Sequence, residues 1–388
     1  MRILWLTNIP SPYRVDFFNE LGRSCELTVL FEKAGATNRD SSWLDFVFEH
    51  FEGIVMRGFS YSADSAASLE VLKYLKRDVY DAVVVTNFST PTGALAIAYL
   101  KATGRPYYLE SDGGFPSGSR LKSWVKRLVI GGAKGYFSTS DANDDYYLSY
   151  GAQAHQLIRY PFTSVREDEV LRDPPTAAQR LAAKQQLGIN ETLMILSVGQ
   201  FIYRKGYDIL LKACASLTDD TAICIVGGDP PQKYRQLVSD LALSTVHFAG
   251  FQQRAELSVY YTAADVFVLP TREDIWGLVI NEALARALPV ITTDRCVAGL
   301  ELVAKNSCGR IVPVDAPEAL AEAIKEVLLN GQHSRSMAEA ALSTMNEYTI
   351  ENMTKRHLEV FENIVRRSLT PKEPNDPAAS DPFGVIDV

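Results

Sequence analysis

The sequence predicts an α/β protein that contains two doubly wound, parallel-sheet domains in tandem. Short β-branched and aromatic runs alternate with helical patterns along most of the 388 residues, as they do where each parallel strand is followed by a covering helix. The alternation is interrupted once, by a polar, proline-containing segment at 161–179. A chain of this length exceeds one compact core and is long enough for two.

The first half of the chain is expected to form an N-terminal domain over residues 1–165. Its predicted strands lie at 2–7, 26–32, 81–87, 105–111 and 135–140. Its predicted helices lie at 13–22, 91–103 and 119–131. In the first helix the apolar stripe closes on Gly22, a residue that commonly follows a helix end.

The second half is expected to form a C-terminal domain over 186–349, after a linker at 166–185. Its predicted strands lie at 192–199, 221–228, 246–251, 265–270 and 288–293, and its helices at 206–217, 231–241 and 277–288. A last helix at 350–368 is expected to pack back on the N-terminal domain. The polar, proline-rich tail at 369–388 is expected to be disordered. Two such domains are expected to face each other across a cleft, with ligands at the carboxyl ends of the strands.

Composition argues against several classes of protein. The net charge of −8 disfavours nucleic-acid binding. The five cysteines are scattered, without a C-x-x-C pair or nearby histidines, which disfavours a zinc site or disulfides and fits a reducing cytosol. The sequence shows no signal-peptide core and no apolar stretch of about 20 residues. A cytoplasmic protein without a membrane span is therefore expected.

The segment TREDIWGLVINEALARALPVITTD at 271–294 predicts a phosphate site at the start of a buried helix. The first backbone N–H groups of that helix belong to Gly277, Leu278 and Val279. Such groups lack intrahelical partners and favour an anion, which the helix dipole also stabilises. Glu282 can accept hydrogen bonds from the diol of an attached ribose, and Asp274 can accept them from a second sugar. A helix cap at Asp274 and an ion pair at Glu282 are the alternative interpretations.

A second cluster supports the phosphate interpretation, in SVGQFIYRKGYDILLKA at 197–213. Gly199 ends a predicted strand, and Arg204 and Lys205 stand just before Gly206 at a helix start. Two cations beside a glycine-opened helix can neutralise a diphosphate, and a guanidinium can bind it with two parallel hydrogen bonds. A solvent-exposed basic turn is the alternative, which the neighbouring acidic segment on the same sheet edge disfavours.

Together these residues resemble glycosyltransferase family 4, whose members are retaining enzymes with the GT-B fold, of the kind found in bacterial surface polysaccharide synthesis. The resemblance extends over residues 1–368 and is densest over 192–315. The family signature consists of an acid, seven further residues that include an aromatic-glycine step, and then Glu-Ala. Here it reads Asp274-Ile-Trp276-Gly277-Leu-Val-Ile-Asn-Glu282-Ala283.

The chain departs from the family pattern at two positions of the site. The first signature acid is Asp274 rather than a glutamate, unless the adjacent Glu273 serves with one extra residue of spacing. Gln200 stands where the family usually has an arginine, so one phosphate cation is missing there, and Arg204 is the candidate substitute.

The resemblance implies a role for each residue of this site. Glu282 should hold the donor ribose, Asp274 the transferred sugar and Lys205 the diphosphate. Phe248 to Phe251 should lie by the nucleotide base, and Trp276 is a further donor-binding residue. The implied reaction is transfer of a hexose from a UDP- or GDP-sugar to a glycan or a lipid-linked oligosaccharide, with no metal or other cofactor. The acidic run at 140–145 is interpreted accordingly as a helix cap.

The first domain departs further from the family pattern. It lacks a glycine-rich first loop, and residues 51–154 contain no histidine. Asp112, in the loop ESDGG, is the candidate to orient an acceptor hydroxyl or the sugar during catalysis, and a simple turn residue is the alternative. Asn8 and Arg14 are the candidates for acceptor binding, with a surface salt bridge as the alternative for Arg14.

The segment SGSRLKSWVKRLVIGGAKG at 117–135 places apolar residues on one helix face with basic residues around them. Basic amphipathic helices bind anionic membranes, which would place the protein at the inner face of the plasma membrane. An ordinary helix that covers the sheet is the alternative and is favoured at this point, because core burial alone would explain the stripe.

Three other functions remain as alternatives. A nucleotide-sugar 2-epimerase of related fold also binds a sugar nucleotide, but the shortage of histidines in the first domain disfavours it. A non-catalytic sugar-nucleotide binder would fit the departures at Asp274 and Gln200. A dehydrogenase is disfavoured more strongly, because neither first loop reads G-x-G-x-x-G.

Overall fold

The computed structural model describes residues 1–35, 47–77, 79–114 and 119–369. The predicted tail lies outside these residues except for residue 369, as do residues 117 and 118 of the basic segment. The chain divides into two compact units. One contains Met1–Thr163 together with the chain from Ile350 onward, and the other contains Ser164–Thr349.

The first unit is built on a parallel β-sheet. The strands of the unit are β1 (Arg2–Thr7), β2 (Glu26–Phe31), β3 (Glu52–Val55), β4 (Phe59–Ser60), β5 (Ala66–Ala67), β6 (Ala82–Val85), β7 (Tyr108–Glu110), β8 (Gly135–Ser138) and β9 (Leu157–Arg159). The order in the sheet is β3-β2-β1-β6-β7-β8-β9, and β4 and β5 form a separate antiparallel pair. Central strands such as β6 are buried along their whole length, as in parallel sheets with both faces covered. The pattern of the sequence did not predict β3, β9 or the β4–β5 pair.

The helices of the first unit follow the strands of its sheet. They are α1 (Pro12–Gly22), α2 (Val71–Leu75), α3 (Pro91–Ala102), α4 (Arg120–Ile130) and α5 (Asp141–Ser149). Ser140 caps α5 by accepting a hydrogen bond from the Asn143 amide at 3.2 Å, so the predicted cap is confirmed. Asp141 and Asp144 of the same run form ion pairs with Arg159.

The second unit repeats the strand–helix alternation. Its strands are β10 (Leu193–Val198), β11 (Thr221–Val226), β12 (Val246–Ala249), β13 (Val266–Leu269), β14 (Val290–Thr293) and β15 (Gly309–Val312). Its helices are α6 (Ala177–Gln186), α7 (Tyr207–Cys214), α8 (Gln232–Asp240), α9 (Arg254–Ala263), α10 (Leu278–Ala285), α11 (Pro317–Leu329) and α12 (Gly331–Glu347). The parallel sheet has the order β12-β11-β10-β13-β14-β15. The predicted architecture of two parallel-sheet α/β units is confirmed.

Two predicted boundaries differ from the structure. The segment 166–185, expected as a linker, contains most of α6, because Thr176 and Gln179 form a capping box at the start of an alanine-rich run. The helix expected at 277–288 is shorter, since α10 ends at Ala285 and Ala287 adopts a left-handed conformation with φ of 58°.

The last helix, α13 (Ile350–Leu369), belongs to the first unit and packs against α1. Its His357 ring stacks on Phe137 with centroids 4.5 Å apart and also contacts Phe17 and Trp5. Burial lowers the pKa of His357 to about 3, so the ring is neutral. A neutral histidine is compatible with this aromatic core, which fastens the C-terminal helix to the unit.

The order of the second sheet reverses between two neighbouring strands, β10 and β13. The chain proceeds from β10 outward to β11 and β12, and then returns to the other side of β10 with β13. Such a switch point separates the loops that follow the two strands and leaves a crevice at their carboxyl ends, where open α/β sheets bind ligands. The loops concerned contain residues 199–206 and 270–277.

Candidate functional site

The turn after β10 depends on glycine at two positions. Gly199 has φ of 148° and Gly206 has φ of 70°, in the region that favours glycine. A Cβ atom at Gly206 would lie 1.9 Å from the carbonyl oxygen of Pro270, which ends the neighbouring strand region. Glycine therefore lets the turn that carries Arg204 and Lys205 approach the loop after β13.

In the structure, Arg204 and Lys205, the two predicted phosphate-binding cations, both lie next to Asp274, the acid predicted to bind the transferred sugar. Lys205 Nζ lies 2.7 Å from Asp274 Oδ2, and Arg204 Nη1 lies 3.0 Å from Asp274 Oδ1. The side chains of Lys205 and Asp274 are 12% and 9% exposed, whereas that of Arg204 is 43% exposed. Asp274 does not cap α10, whose N-cap residue is Gly277. The alternative of a helix cap at Asp274 is therefore wrong.

Glu273, the other candidate for the first signature acid, has a different partner. Its carboxylate lies 3.2 Å from Arg295 Nη2, and its backbone oxygen accepts a hydrogen bond from Arg204 Nη1 at 2.7 Å. Asp274 is thus the acid that contacts both cations.

The start of α10 has the geometry expected of an anion-binding helix end. Gly277 has φ of 105°, and a Cβ atom there would lie 3.1 Å from Cys296 Sγ. The amides of Leu278 and Val279 belong to the first turn, where helical N–H groups have no intrahelical acceptor. Trp276 is buried, and its Nε1 donates a hydrogen bond to Asn281 Oδ1 at 2.8 Å. This hydrogen bond and the burial of Trp276 hold the segment just before α10 in place.

Glu282 is half-buried in the second turn of α10. Its Oε2 accepts a hydrogen bond from Tyr261 Oη at 2.9 Å, and its Oε1 accepts one from Ser164 Oγ at 3.4 Å. Burial raises the pKa of Glu282, while the Tyr261 hydrogen bond and the charge of Arg254 act in the opposite direction. Its hydrogen-bond partners within the described residues are thus hydroxyl groups, which a ligand's hydroxyls can replace. Sequence reasoning missed these neighbours, because they come from segments with no motif.

The two predicted aromatic residues lie at the end of β12. Phe248 is partly buried and packs on Phe201, with ring centroids 5.7 Å apart. Phe251 lies in the loop beyond and is 48% exposed. Phe251 is therefore the more exposed of the two.

The candidate residues of the first unit lie at the carboxyl ends of its strands. Asn8 follows β1, and its Nδ2 donates to Asp64 Oδ2 at 3.1 Å. Arg14 is buried, with Nη1 at 2.6 Å from Glu110 Oε1 and Nη2 at 2.5 Å from Asp112 Oδ1. The alternative of a surface salt bridge at Arg14 is therefore wrong.

Asp112 is held from two sides in this cluster. Besides Arg14, Tyr13 Oη donates to Asp112 Oδ2 at 3.0 Å. Burial raises the pKa of Asp112, an effect that the Arg14 charge opposes. Sequence reasoning missed Glu110, whose Oε1 also accepts a hydrogen bond from Tyr160 Oη at 2.8 Å. Glu110 is a charged residue at the end of the buried strand β7. This position was the available indication that Glu110 belongs to the cluster.

The apolar face of α4 is exposed, contrary to the favoured expectation of a sheet-covering helix. Leu121, Trp124, Val125 and Leu128 are 73%, 60%, 47% and 55% exposed, and within α4 only Ile130 is buried. The expectation is wrong because this helix contacts the unit through its C-terminal end rather than through its stripe. Within the described ranges, no helix combines the length and apolar character needed to cross a membrane.

Comparison with known proteins relates the chain to sugar-transferring enzymes. Residues 179–344 match the family described as "Glycosyl transferases group 1". A D-inositol 3-phosphate glycosyltransferase of Corynebacterium urealyticum is 30% identical over 225 residues, which cover 54% of this chain and 51% of that protein. The lipopolysaccharide glucosyltransferase WaaG of Escherichia coli is 33% identical over 165 residues, which cover 41% of this chain and 43% of that protein. The chain thus matches about half the length of these curated relatives.

Solved structures share the fold over nearly the whole chain. WaaG superposes with a TM-score of 0.67 at 20% identity, covering 92% of this chain and 99% of that chain. HepE of Anabaena in complex with UDP-glucose superposes with a TM-score of 0.74 at 18% identity, covering 93% of this chain and 99% of that chain. The predicted GT-B fold is therefore confirmed.

Proposed function

We propose, from the match of residues 179–344 to the group 1 glycosyl transferases, that the protein transfers a hexose from a nucleoside-diphosphate sugar with retention of the anomeric configuration. The acceptor is a glycan or a lipid-linked oligosaccharide of a surface polysaccharide or glycolipid. One observation carries the proposal: Lys205, Arg204 and Asp274 meet beside the start of α10, at the switch point of the second sheet.

The donor diphosphate binds between the two cations and the first amides of α10. In the free protein the cations are paired with Asp274. Phosphate oxygens carry more negative charge than one carboxylate and accept charge-assisted hydrogen bonds from both side chains. Asp274 is then released toward the hydroxyls of the transferred sugar, while Glu282 binds the ribose diol.

The same groups stabilise the leaving diphosphate. Bond breaking at the anomeric carbon gives an oxocarbenium-like sugar, and negative charge grows on the departing phosphate. Lys205, Arg204 and the α10 N-terminus are preorganised where that charge develops, which is the type of interaction that contributes most to catalysis. These groups supply the positive charge without a metal ion. The acceptor oxygen bonds to the anomeric carbon on the face that the phosphate leaves, which retains the configuration, and the departing phosphate takes the proton of the acceptor hydroxyl. In the first unit, Asp112 orients the acceptor hydroxyl and Asn8 contributes to acceptor binding.

Nucleotide and product analysis tests this function. UDP-, GDP- and ADP-sugars are incubated with and without glycan and lipid-linked acceptors, and the released nucleotide and the anomeric configuration of the product are measured. We expect release of one nucleoside diphosphate that depends on acceptor and a product with the donor's anomeric configuration. An isomerised sugar nucleotide formed without acceptor would instead indicate the 2-epimerase, and inversion would contradict the mechanism.

The exposed face of α4 supports contact with an anionic lipid surface. Its four apolar side chains lie at spacings of three and four residues, on one face of the helix. The basic residues of the segment are Arg120, Lys122, Lys126, Arg127 and Lys134. Of these, Lys126 lies over the Tyr146 and Tyr150 rings and Arg127 donates to Ser149 O. Each basic residue near an anionic surface contributes about 1 kcal/mol to binding. We therefore propose that the protein binds the inner face of the plasma membrane, where a lipid-linked acceptor is presented.

Replacing Leu121 and Trp124 together by glutamine is expected to abolish flotation with phosphatidylglycerol vesicles. Both side chains are exposed, so the thermal unfolding temperature should stay unchanged. The matched control replaces Leu181 and Leu329, which are 57% and 79% exposed elsewhere, and should float like the wild type. Equal flotation of the α4 variant, or equal binding to neutral phosphatidylcholine vesicles, would contradict the membrane contact.

A further inference from the structure

The turn that carries Lys205 is short, and its own backbone hydrogen bonds run from Lys205 N to Ile202 O at 3.0 Å and from Gly206 N to Tyr203 O at 3.3 Å. Tyr203–Lys205 form a single 3₁₀ turn between β10 and α7. A charge that stabilises a departing phosphate must be held to within about 0.5 Å of its productive position. A single turn of this length does not fix its place relative to the neighbouring loop, so the position of Lys205 also depends on groups outside the turn.

Arg272, in the loop after β13, contacts this turn on both sides of Lys205. Its backbone N–H donates to Arg204 O at 2.7 Å, and its Nη1 donates to Tyr203 O at 2.8 Å. Its guanidinium also forms two parallel hydrogen bonds with Asp208 in the first turn of α7, at 3.0 and 2.8 Å. One side chain thus ties the segment before Lys205 to the segment after it.

The guanidinium of Arg272 is itself fixed in place. Its Nε lies 2.7 Å from Asp315 Oδ1, and its Cζ lies 4.0 Å from the centroid of the Tyr203 ring, which covers it as a cation–π contact. The side chain is 13% exposed. The hydrogen bonds that Arg272 donates to Asp208 raise the pKa of Arg272, so the group keeps its charge. These contacts require a planar group with several N–H donors, such as the guanidinium of arginine, and the single ammonium group of a lysine cannot make them all.

We propose that Arg272 is the positioning residue of the diphosphate site: it holds Lys205 and Arg204 against the loop of Asp274, without contacting the ligand itself. The inference rests on the proposed function, since it assigns the residue that preorganises the same site. Replacing the Arg272 guanidinium should leave the fold unchanged. It should weaken the binding of the phosphate that Lys205 contacts.

The difference in affinity between nucleoside diphosphate and monophosphate measures this interaction. Dissociation constants of UDP and UMP, and of GDP and GMP, are measured by calorimetry for the wild type, Arg272→Gln and Arg272→Lys. The ratio is the dissociation constant of the monophosphate divided by that of the diphosphate. We expect this ratio to fall at least about tenfold in both variants, which corresponds to about 1.4 kcal/mol. A general loss of stability would not change this ratio. If the glutamine variant does not fold, Arg272→Lys gives the result.

The matched control is Arg310→Gln in the same unit. Arg310 also binds a carboxylate with two hydrogen bonds, to Glu326 at 3.1 and 2.6 Å, and its removal should leave the ratio unchanged. An unchanged ratio in folded Arg272 variants, with a reduced ratio in Lys205→Ala, would overturn this inference alone. An unchanged ratio in Lys205→Ala as well would overturn the proposed diphosphate site.

Discussion

Lys205→Ala is expected to lower kcat for sugar transfer about 10²- to 10³-fold, the usual cost of removing one preorganised group that stabilises developing negative charge. Lys205 is mostly buried and already fixed beside Asp274 at 2.7 Å. The donor diphosphate takes the place of Asp274 when it binds, so Lys205 is already beside the phosphate when the phosphate departs. Steady-state kinetics with the identified donor gives the measurement. The Michaelis constant for the donor should change less than kcat if the interaction strengthens in the transition state.

A matched variant separates this catalytic effect from the loss of a buried ion pair. Lys184 of α6 pairs with Asp265 at 2.8 Å and is 6% exposed, in the same unit. Asp265 precedes β13, at the opposite end of the strand from the site. Lys184→Ala should lower thermal stability while kcat stays near that of the wild type. Equal kcat for Lys205→Ala and the wild type would remove Lys205 from the mechanism.

Glu282→Gln is expected to weaken donor binding at least about tenfold, because a carboxylate gives stronger hydrogen bonds to the ribose diol than an amide does. The carboxylate sits among the hydroxyls of Tyr261 and Ser164, so its orientation is fixed. Burial raises its pKa, and protonation therefore begins at a higher pH than for an exposed glutamate. Donor affinity should accordingly fall as the pH is lowered toward that raised pKa.

The ribose itself provides the control for this prediction. The wild type should bind the 2′-deoxy nucleotide more weakly than the ribonucleotide, whereas Glu282→Gln should discriminate little between them. Such a cycle isolates the contact between one side chain and one hydroxyl. Full discrimination retained in the variant would place the ribose away from Glu282.

The meeting of the two cations and Asp274 at one edge of the second sheet could be predicted from sequence, because it depends on local chemistry. Gly199, Gly206 and Gly277 stand where a strand passes into a helix, and their positive φ angles require glycine. Cations and acids next to these glycines are visible in the sequence as short motifs. The order of strands and helices follows from apolar periodicity, which is also local.

The partners of the site residues could not be predicted, because they come from distant parts of the chain. Arg272 and Asp208 are 64 residues apart, and Arg14 and Glu110 are 96 residues apart. No periodicity or motif links such pairs. For the same reason the sequence named Arg14 as a candidate for acceptor binding but gave no sign of the two carboxylates that bind it in the interior of its unit.

The exposed stripe of α4 shows a related limit of sequence reasoning. An apolar stripe on a helix has the same pattern whether it covers a sheet or faces a partner outside the protein. Only the packing distinguishes the two cases, and here Trp124 and Leu128 remain exposed. The short strand β3 was missed for a similar reason, since its residues are half-exposed or exposed and lack a clear apolar run.

The crystal structure of a complex with the UDP- or GDP-sugar that the protein turns over tests the central claim most directly. We expect diphosphate oxygens at about 3 Å from Lys205 Nζ and from the first backbone N–H groups of α10. The ribose hydroxyls should lie on Glu282, and the Lys205–Asp274 pair should be opened by the ligand. A nucleotide bound elsewhere, with Lys205 still paired to Asp274 and Glu282 still bonded to Tyr261, would contradict the account.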